Sequence, residues 1–476
     1  MSKKYLMGID EGSQSAKITI FDTDGNIVCE AREPLRPYDL PKPGYVEHPD
    51  DDWWDAICKA SKKCMDKFEG DPKDILGIGL CTIRCCRAYL KEDGTLAQPA
   101  LSWMDIRVSQ PYEHVNPDVK YIVASSGYIT HRLTGERKDT VANYEYGWPV
   151  DVDQWKWSDD PEAYKATGMP REMLFDLVMP GDVLGYVTEE AAKATGLPQG
   201  VPVVATSNDK AVEGLGTGCM GDKTACISLG TYTTAMMEGK ENLKGTSYAW
   251  PKFSCVPNKY FYDSNGIRRG MWTVSWVRDV LGDSYIQMAK EKGMSAEELL
   301  SEEAEKVPAG SDGLMTVLDW LAPVDARYKK GIMIGFDGRH TRGHIYRSIL
   351  EAVAMTIKGH TEDMVNEVGV TLDKIIITGG GSNSDLFMQI FADVFNLPAV
   401  RNVVNGAAGL GSAICAAVAT GVYGSFEEAV EGMVKIQDTF VPNPENVELY
   451  QKMISIYKDI TVHTDEVLKK TYELFE

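Results

Sequence analysis

An α/β fold of helices layered on sheets is predicted by three features of this 476-residue chain. Strand-length apolar or alternating runs alternate with longer segments of helical period. A Gly-hydroxyl turn separates two strands twice, at 12–13 and at 230–231, and a glycine triplet, Gly379-Gly380-Gly381, stands between a strand and a helix. Residues 5–10 are an apolar run and 16–21 alternate, with a polar turn at 11–15 between them; Asp24-Gly25 then turns the chain into a third strand, 27–30. Residues 50–68 set apolar side chains at 53, 54, 57, 60, 64, 65 and 68 behind an Asp-rich start, which predicts an amphipathic helix, and a strand follows at 75–81. Further on, a strand at 201–206 leads into an Ala/Gly-rich helix after Asp209, then into strands at 225–229 and 233–237. A helix over 344–368, a strand over 374–378 and a helix over 384–395 continue the alternation. The charge-free run 403–426 reads as a buried helix and not as a membrane span. The polar stretch 238–246 is the expected boundary, dividing the chain into domains 1–245 and 246–476.

The chain carries 49 Lys and Arg against 70 Asp and Glu, a net charge of −21, with 43% hydrophobic and 25% charged residues. These proportions exclude disordered, collagen-like and disulfide-scaffold classes, and the length suits two or three domains. So acidic a surface repels polyanions, which argues against nucleic acid and anionic membrane as partners. Lys3 and Lys4 precede too short an apolar stretch for an export signal, so a cytoplasmic location is expected. Ten cysteines include no CxxC pair and no Cys/His set with zinc spacing, the pattern of reduced thiols that mostly fill the core.

No GxxxxGK[ST] occurs, which excludes P-loop nucleotide binding. The one GxGxxG, Gly216 to Gly221, follows a helical segment and precedes a strand, the reverse of a dinucleotide fingerprint, and reads as packing glycines. Asp10 ends an apolar strand and is followed by Gly12, Ser13, Ser15 and Lys17. Such a turn either closes a plain hairpin or offers N–H groups and hydroxyls to a phosphate, with a carboxylate beside it to hold Mg²⁺ through water. Gly230-Thr231 carries the same two readings. Gly380, Gly381 and Ser384 open a helix whose N-terminus can seat an anion. Asp209 is either the cap of its helix or a general base.

Taken together these segments resemble the FGGY family of carbohydrate kinases, of the actin-like ATPase superfamily. The resemblance rests on GIDEGSQSAKITIFD at 8–22, WMDIR at 103–107, HRLTG at 131–135, SNDKAVEGLGTG at 207–218, ISLGT at 227–231 and ITGGGSNSDLFMQIFADVF at 377–395. A C-terminal signature begins at Gly331, with Phe336 where a smaller aliphatic residue is usual. The resemblance implies two actin-like (ribonuclease H-like) domains with a catalytic cleft between them, and an ATP- and Mg²⁺-dependent kinase of a ketose, polyol or sugar acid. Asp209 resembles the base and, with Asp10, the holder of Mg²⁺. Gly12, Ser13, Ser15 and Lys17 resemble the first phosphate turn, Gly230 and Thr231 the second, and Gly380, Gly381 and Ser384 the adenosine-side loop. Arg84, Trp103, Asp105 and Lys210 fall at substrate-side positions: Trp103 to pack on a sugar's C–H face, Arg84 and Asp105 to grip hydroxyls.

Three departures bear on the acceptor. The linker after Arg107 is short, Thr82 to Arg87 replaces a small or His-containing segment, and Lys210 follows the base where Asn or Gln is commoner. Arg84 and Lys210 as two cations at the pocket suit either an acceptor carboxylate or the hydroxyls of a neutral ketose or polyol. The non-kinase alternative is a nucleotide-dependent clamp or regulatory ATPase of the same superfamily. The expected partner is a small carbohydrate, and self-association into a homodimer stays open.

Overall fold

A computed structural model describes residues 3–230, 232–323 and 326–475 of the chain. Its first half builds a six-stranded sheet. Strands β1 (Tyr5–Glu11), β2 (Ser15–Asp22) and β3 (Ile27–Pro34) form an antiparallel meander. Helix α1 (Asp52–Lys67) returns the chain to β4 (Ile75–Thr82), which lies parallel to β1. After α2 (Ser125–Thr134), β5 (Val183–Tyr186) and α3 (Glu189–Thr195), strand β6 (Pro202–Ala205) adds parallel to β4, and β5 closes the edge, giving the order β3-β2-β1-β4-β6-β5. Helix α4 (Asp209–Thr217) then carries the chain to the second sheet.

The second sheet repeats that plan. Strands β7 (Thr224–Leu229), β8 (Thr233–Gly239), β9 (Trp250–Phe253) and β10 (Tyr260–Asp263) are antiparallel. After α5 (Arg342–Val368), strand β11 (Lys374–Thr378) lies parallel to β7. Helix α6 (Asp385–Phe395) leads to the parallel strand β12 (Ala399–Asn402). Helix α7 (Ala407–Ala419), the antiparallel edge β13 (Ile436–Phe440) and the long α8 (Pro444–Phe475) complete the chain. The order is β9-β10-β8-β7-β11-β12-β13, the first sheet's plan with one strand added. The twice-occurring Gly-hydroxyl turn is thus the sequence trace of a structural duplication.

The passage between sheets falls between Thr217 and Thr224, ahead of the polar stretch 238–246. Glu238 and Gly239 are the paired end of β8, and the polar residues after them belong to a loop at the sheet edge. The strand expected at 27–30 also runs on to Pro34, where exposed charged residues alternate with half-buried ones along a sheet edge. The run 403–426 contains the buried α7, and among the described residues no helix is long and apolar enough to cross a membrane. All ten cysteines are free, and seven of them are buried.

Strand alternation divides the core. Tyr5, Met7 and Ile9 of β1 pack with α1, whereas Leu6 joins a middle layer built from α4 and α7. That layer lies between the sheets and meets Cys81 and Val204 on one side and Cys226, Met236, Ile376 and Val400 on the other. It is thin because glycines face backbone. A Cβ at Gly8 would lie 2.1 Å from Gly409 O, at Gly79 1.9 Å from Ser412 O, at Gly216 1.9 Å from Ala407 O, and at Gly411 2.0 Å from Val212 O. Gly216 of the GxGxxG therefore serves helix packing, as its context predicts.

Replacing Gly216 by Ala forces two backbones apart and is expected to cost at least about 1–3 kcal/mol, read as a lowered thermal midpoint. Gly359, in the interior of α5 with nothing within 4 Å of an added Cβ, gives the opposite sign: Gly359→Ala gains about 0.5–1 kcal/mol from helix propensity.

Candidate active site

Asp10, Arg84 and Asp209 stand at or just beyond the carboxyl ends of the parallel strands β1, β4 and β6, and Gly230 and the glycine triplet just beyond those of β7 and β11, where ligands bind in open α/β sheets. Asp10 is the penultimate residue of β1, in register with Lys17 of β2 and Cys81 of β4. Its carboxyl is pushed up to about 6, first by burial and then by the neighbouring charges of Asp209 and Glu213. Glu11, one residue on, is buried with neither oxygen hydrogen-bonded among the described residues, and burial followed by the Asp10 charge holds it well above the usual carboxylate range.

Asp209 is the first residue of α4 but not its cap. Asn208 caps the helix, its Oδ1 accepting from Ala211 N at 3.0 Å. The Asp209 carboxylate is thereby left to the cleft. Its Oδ1 is buried and makes no hydrogen bond among the described residues, and Arg84 Nε lies 3.7 Å away. Arg84 projects from the end of β4 and donates from Nη1 to Asp263 Oδ2 at 3.0 Å, so Asp263, at the end of β10, joins the site from the second sheet. Asp263 Oδ1 is likewise buried without a partner. Beyond it Lys252 pairs with Glu145 at 3.2 Å.

Lys210, placed by the sequence on the acceptor side, reaches the other way. Its Nζ donates to Glu213 Oε2 at 2.7 Å and to Ser228 Oγ at 2.9 Å, beside the Leu229-Gly230 turn. Against the cost of burial, Glu213 and Asp209 hold this ammonium above its ordinary value. Asp105 also departs from expectation. It is buried and already takes four hydrogen bonds, from Val46 N and from Arg107 N, Nε and Nη2, so it fixes the 103–107 turn and does not grip a ligand. Trp103 is 49% exposed, its ring available for packing on a ligand.

The turns converge. Gly12 N donates to Ser15 O at 3.0 Å, closing the first turn, while Arg32 Nε donates to Ser15 Oγ at 2.7 Å and Tyr38 Oη to Ser13 O at 3.1 Å. Lys17 pairs with Glu30 at 2.7 Å, and its Nζ lies 3.0 Å from where a Cβ at Gly406 would stand, just ahead of α7. Gly379 has φ +89°, and a Cβ there would meet Leu229 O at 2.6 Å, so the glycine triplet nests on the turn that contains Gly230. Asn405 Oδ1 accepts from Gly379 N at 3.1 Å and ties that loop to the start of α7. Gly380 has open space around it, Gly381 packs on Leu229, and Ser384 caps α6. Thr231 lies outside the described residues.

Asp263, Glu213, Glu145, Lys252 and Asn405 were not singled out from sequence. Glu213 was recoverable from its i,i+3 spacing to Lys210. Asp263, ending the apolar run Tyr260-Phe261-Tyr262, carried the weaker signal of a carboxylate at a strand end. Glu145 and Lys252 meet only through folding.

Two copies of one sheet plan, crossing at α4 and α7 and turning acidic strand ends toward a common cleft, define a two-domain protein with the actin-like ATPase fold. The solved gluconate kinase of Lactobacillus acidophilus superposes with a TM-score of 0.84 over 99% of this chain and all of that one, at 18% identity, a likeness of fold. The family model for the N-terminal domain of the FGGY family of carbohydrate kinases matches residues 5–121 and 108–216, and that for the C-terminal domain matches 225–420. The two N-terminal matches overlap at 108–121. An uncharacterized sugar kinase, YgcE, of Escherichia coli (strain K12) is 54% identical over 475 residues, spanning 100% of this chain and 96% of that protein. The xylulose kinase of Lactococcus lactis is 24% identical over 514 residues, spanning 98% and 99%. The chain belongs to the FGGY family of carbohydrate kinases and is a phosphotransferase of that kind.

Asp10 also sets a pH dependence of stability. Its carboxyl is raised from 3.8 to about 6 in the fold, so the folded state favours the protonated form. Its stabilising contribution is full below 3.8 and is lost as pH rises through 6. In EDTA at pH 7.5, Asp10→Asn is expected to raise stability by about 1–3 kcal/mol over wild type, and the gain should vanish near pH 4. Thermal unfolding at the two pH values measures it.

Proposed function

We propose that this kinase transfers the γ-phosphoryl group of MgATP to a hydroxyl of a small carbohydrate, with Asp209 as general base. One observation carries the reading: Asp209 stands at the first turn of α4 with its capping duty taken by Asn208 and its Oδ1 buried and unpartnered. An acceptor O–H donated to that oxygen satisfies it. As the acceptor oxygen forms its bond to phosphorus, the proton passes to Asp209, and the electron pair of the broken P–O bond leaves on ADP.

The residues present fit a divalent ion. Asp10 is crowded by Asp209 and Glu213, an excess of negative charge that a cation relieves. Among the described residues no set of three or more ligating side chains gathers, which suits an ion that takes the rest of its shell from water and phosphate oxygens. Asp10, with Asp209 beside it, would hold Mg²⁺, whose chemistry is to neutralise charge on the phosphate oxygens. Lys17 and Lys210 bring positive charge to the same end of the cleft, beside the turns that contain Gly12, Ser13 and Gly230. The triplet at 379–381, opening onto α6, is the adenosine-side loop.

A clamp that bound and hydrolysed nucleotide without an acceptor would have no use for a carboxylate kept clear of capping beside Arg84. Asp209→Asn is expected to lower phosphoryl transfer by about 10²–10⁴ while calorimetry shows retained affinity for a non-hydrolysable ATP analogue with Mg²⁺. Turnover at the wild-type level in that variant would remove the base assignment.

A further inference from the structure

The charges around Asp209 bear on what the acceptor can be. Arg84 is held between two carboxylates, Asp263 at 3.0 Å and Asp209 at 3.7 Å. Lys252, on the same face of β9 as Trp250, whose partner across the ladder is Asp263, is balanced by Glu145 at 3.2 Å. Lys210 is spent on Glu213 and Ser228, toward the phosphate turns. The acceptor end of the cleft therefore holds three carboxylates, Asp209, Asp263 and Glu145, against two cations, Arg84 and Lys252. It has one negative charge in surplus, which disfavours an anionic ligand.

Two oxygens there are incomplete. Asp209 Oδ1 and Asp263 Oδ1 are both buried, both without a hydrogen-bond donor among the described residues, and on carboxylates that flank one guanidinium. Buried carboxylate oxygens call for donors. A hydroxyl supplies one; a carboxylate supplies none and adds repulsion. The guanidinium, with a single hydrogen bond to Asp263 among its five N–H groups, retains donors for a ring, carbonyl or hydroxyl oxygen.

We propose that the acceptor is a neutral polyhydroxylic carbohydrate that sets the reacting hydroxyl on Asp209 and a second hydroxyl on Asp263, and that Asp263 is a specificity-determining residue which turns sugar acids away. The inference rests on the phosphotransferase reading above and goes further in assigning Asp263 a role and the acceptor a charge. The acceptor hydroxyls thus bridge the sheets, because Asp209 follows the first sheet and Asp263 ends a strand of the second.

The test uses the full-length enzyme with MgATP and paired acceptors of equal carbon number: D-xylulose with D-xylonate, D-ribulose with D-ribonate, and D-fructose with D-gluconate, together with xylitol and glycerol. Wild type is expected to use the best neutral acceptor with kcat/KM at least tenfold above that of any acid. Asp263→Asn keeps shape and one acceptor oxygen but removes the charge. It is expected to raise the KM for that neutral acceptor at least tenfold with a smaller change in kcat. It should also narrow the gap to the matching acid, with affinity for a non-hydrolysable nucleotide within twofold of wild type. Asp263→Glu, which restores the charge, should recover part of the KM. An acid used as well as its neutral partner, or an acceptor KM within twofold of wild type in Asp263→Asn, overturns the inference and leaves the Asp209 mechanism standing. Loss of nucleotide affinity and thermal midpoint in both Asp263 variants would make the residue merely structural and overturns it equally. Equal turnover in Asp209→Asn and wild type defeats the base assignment on which the inference rests.

Discussion

Four glycines pressed against backbone carbonyls set the geometry of this molecule. Gly8 and Gly79 let α7 lie on β1 and β4, and Gly216 and Gly411 let α4 and α7 cross at van der Waals contact. With side chains there, the middle layer would thicken and the two sheets would separate. Because the layer is thin, the strand ends of both sheets open on one cleft. Asp209, at the first turn of α4, comes close enough to Asp10 for its charge to raise that carboxyl. The same closeness lets Arg84 of the first half reach Asp263 of the second. Packing of backbone on backbone thus decides which charged groups meet.

The crossing has an electrostatic cost that the site retains. Asp10, Glu11, Asp209 and Glu213 are brought together with Lys17 and Lys210 as the nearby cations. A structure selected for stability alone would not set Asp10 and Glu11, at the end of β1, near Asp209 and Glu213 of α4. Their arrangement makes sense for a ligand that arrives with cations and phosphates, and the balance differs along the cleft. Lys210 stands beside Ser228 and Lys17 beside Gly406. Arg84 and Lys252 are each matched or outnumbered by carboxylates.

Much of the architecture was legible in sequence because it is written in short-range pattern. The 2-residue period of 16–21, the apolar runs 5–10 and 374–378 and the helical spacing of 50–68 each needed only their own segment, and the repeated Gly-hydroxyl turn disclosed the duplication. What failed to show depended on distant partners. The stretch 238–246 resembled a linker because a sheet-edge loop and a linker share polar composition, whereas the passage between sheets, at 218–223, is too short to leave a compositional mark. Asp105 looked available because Arg107, two residues on, folds back over it. Lys210 looked like an acceptor contact until its Nζ was seen to turn to Ser228. The ambiguity of Asp209 was one residue wide: whether it or Asn208 takes the cap decides whether the carboxylate is free, and both residue types cap well. Asp263 entered the site through the pairing of β10 with β8, which no local pattern discloses.

In the proposed function, the crossing of α4 and α7 delivers Asp209 to an acceptor hydroxyl in front of phosphate turns contributed by both sheets. A crystal structure of the enzyme with Mg²⁺, a non-hydrolysable ATP analogue and a phosphorylatable sugar tests it most directly. The account predicts an acceptor hydroxyl within about 3 Å of Asp209, aligned with a γ-phosphate seated between the turn at Gly12-Ser13 and the turn at Gly230. A nucleotide bound elsewhere, or an acceptor whose hydroxyls all stand away from Asp209 in the closed complex, would contradict it.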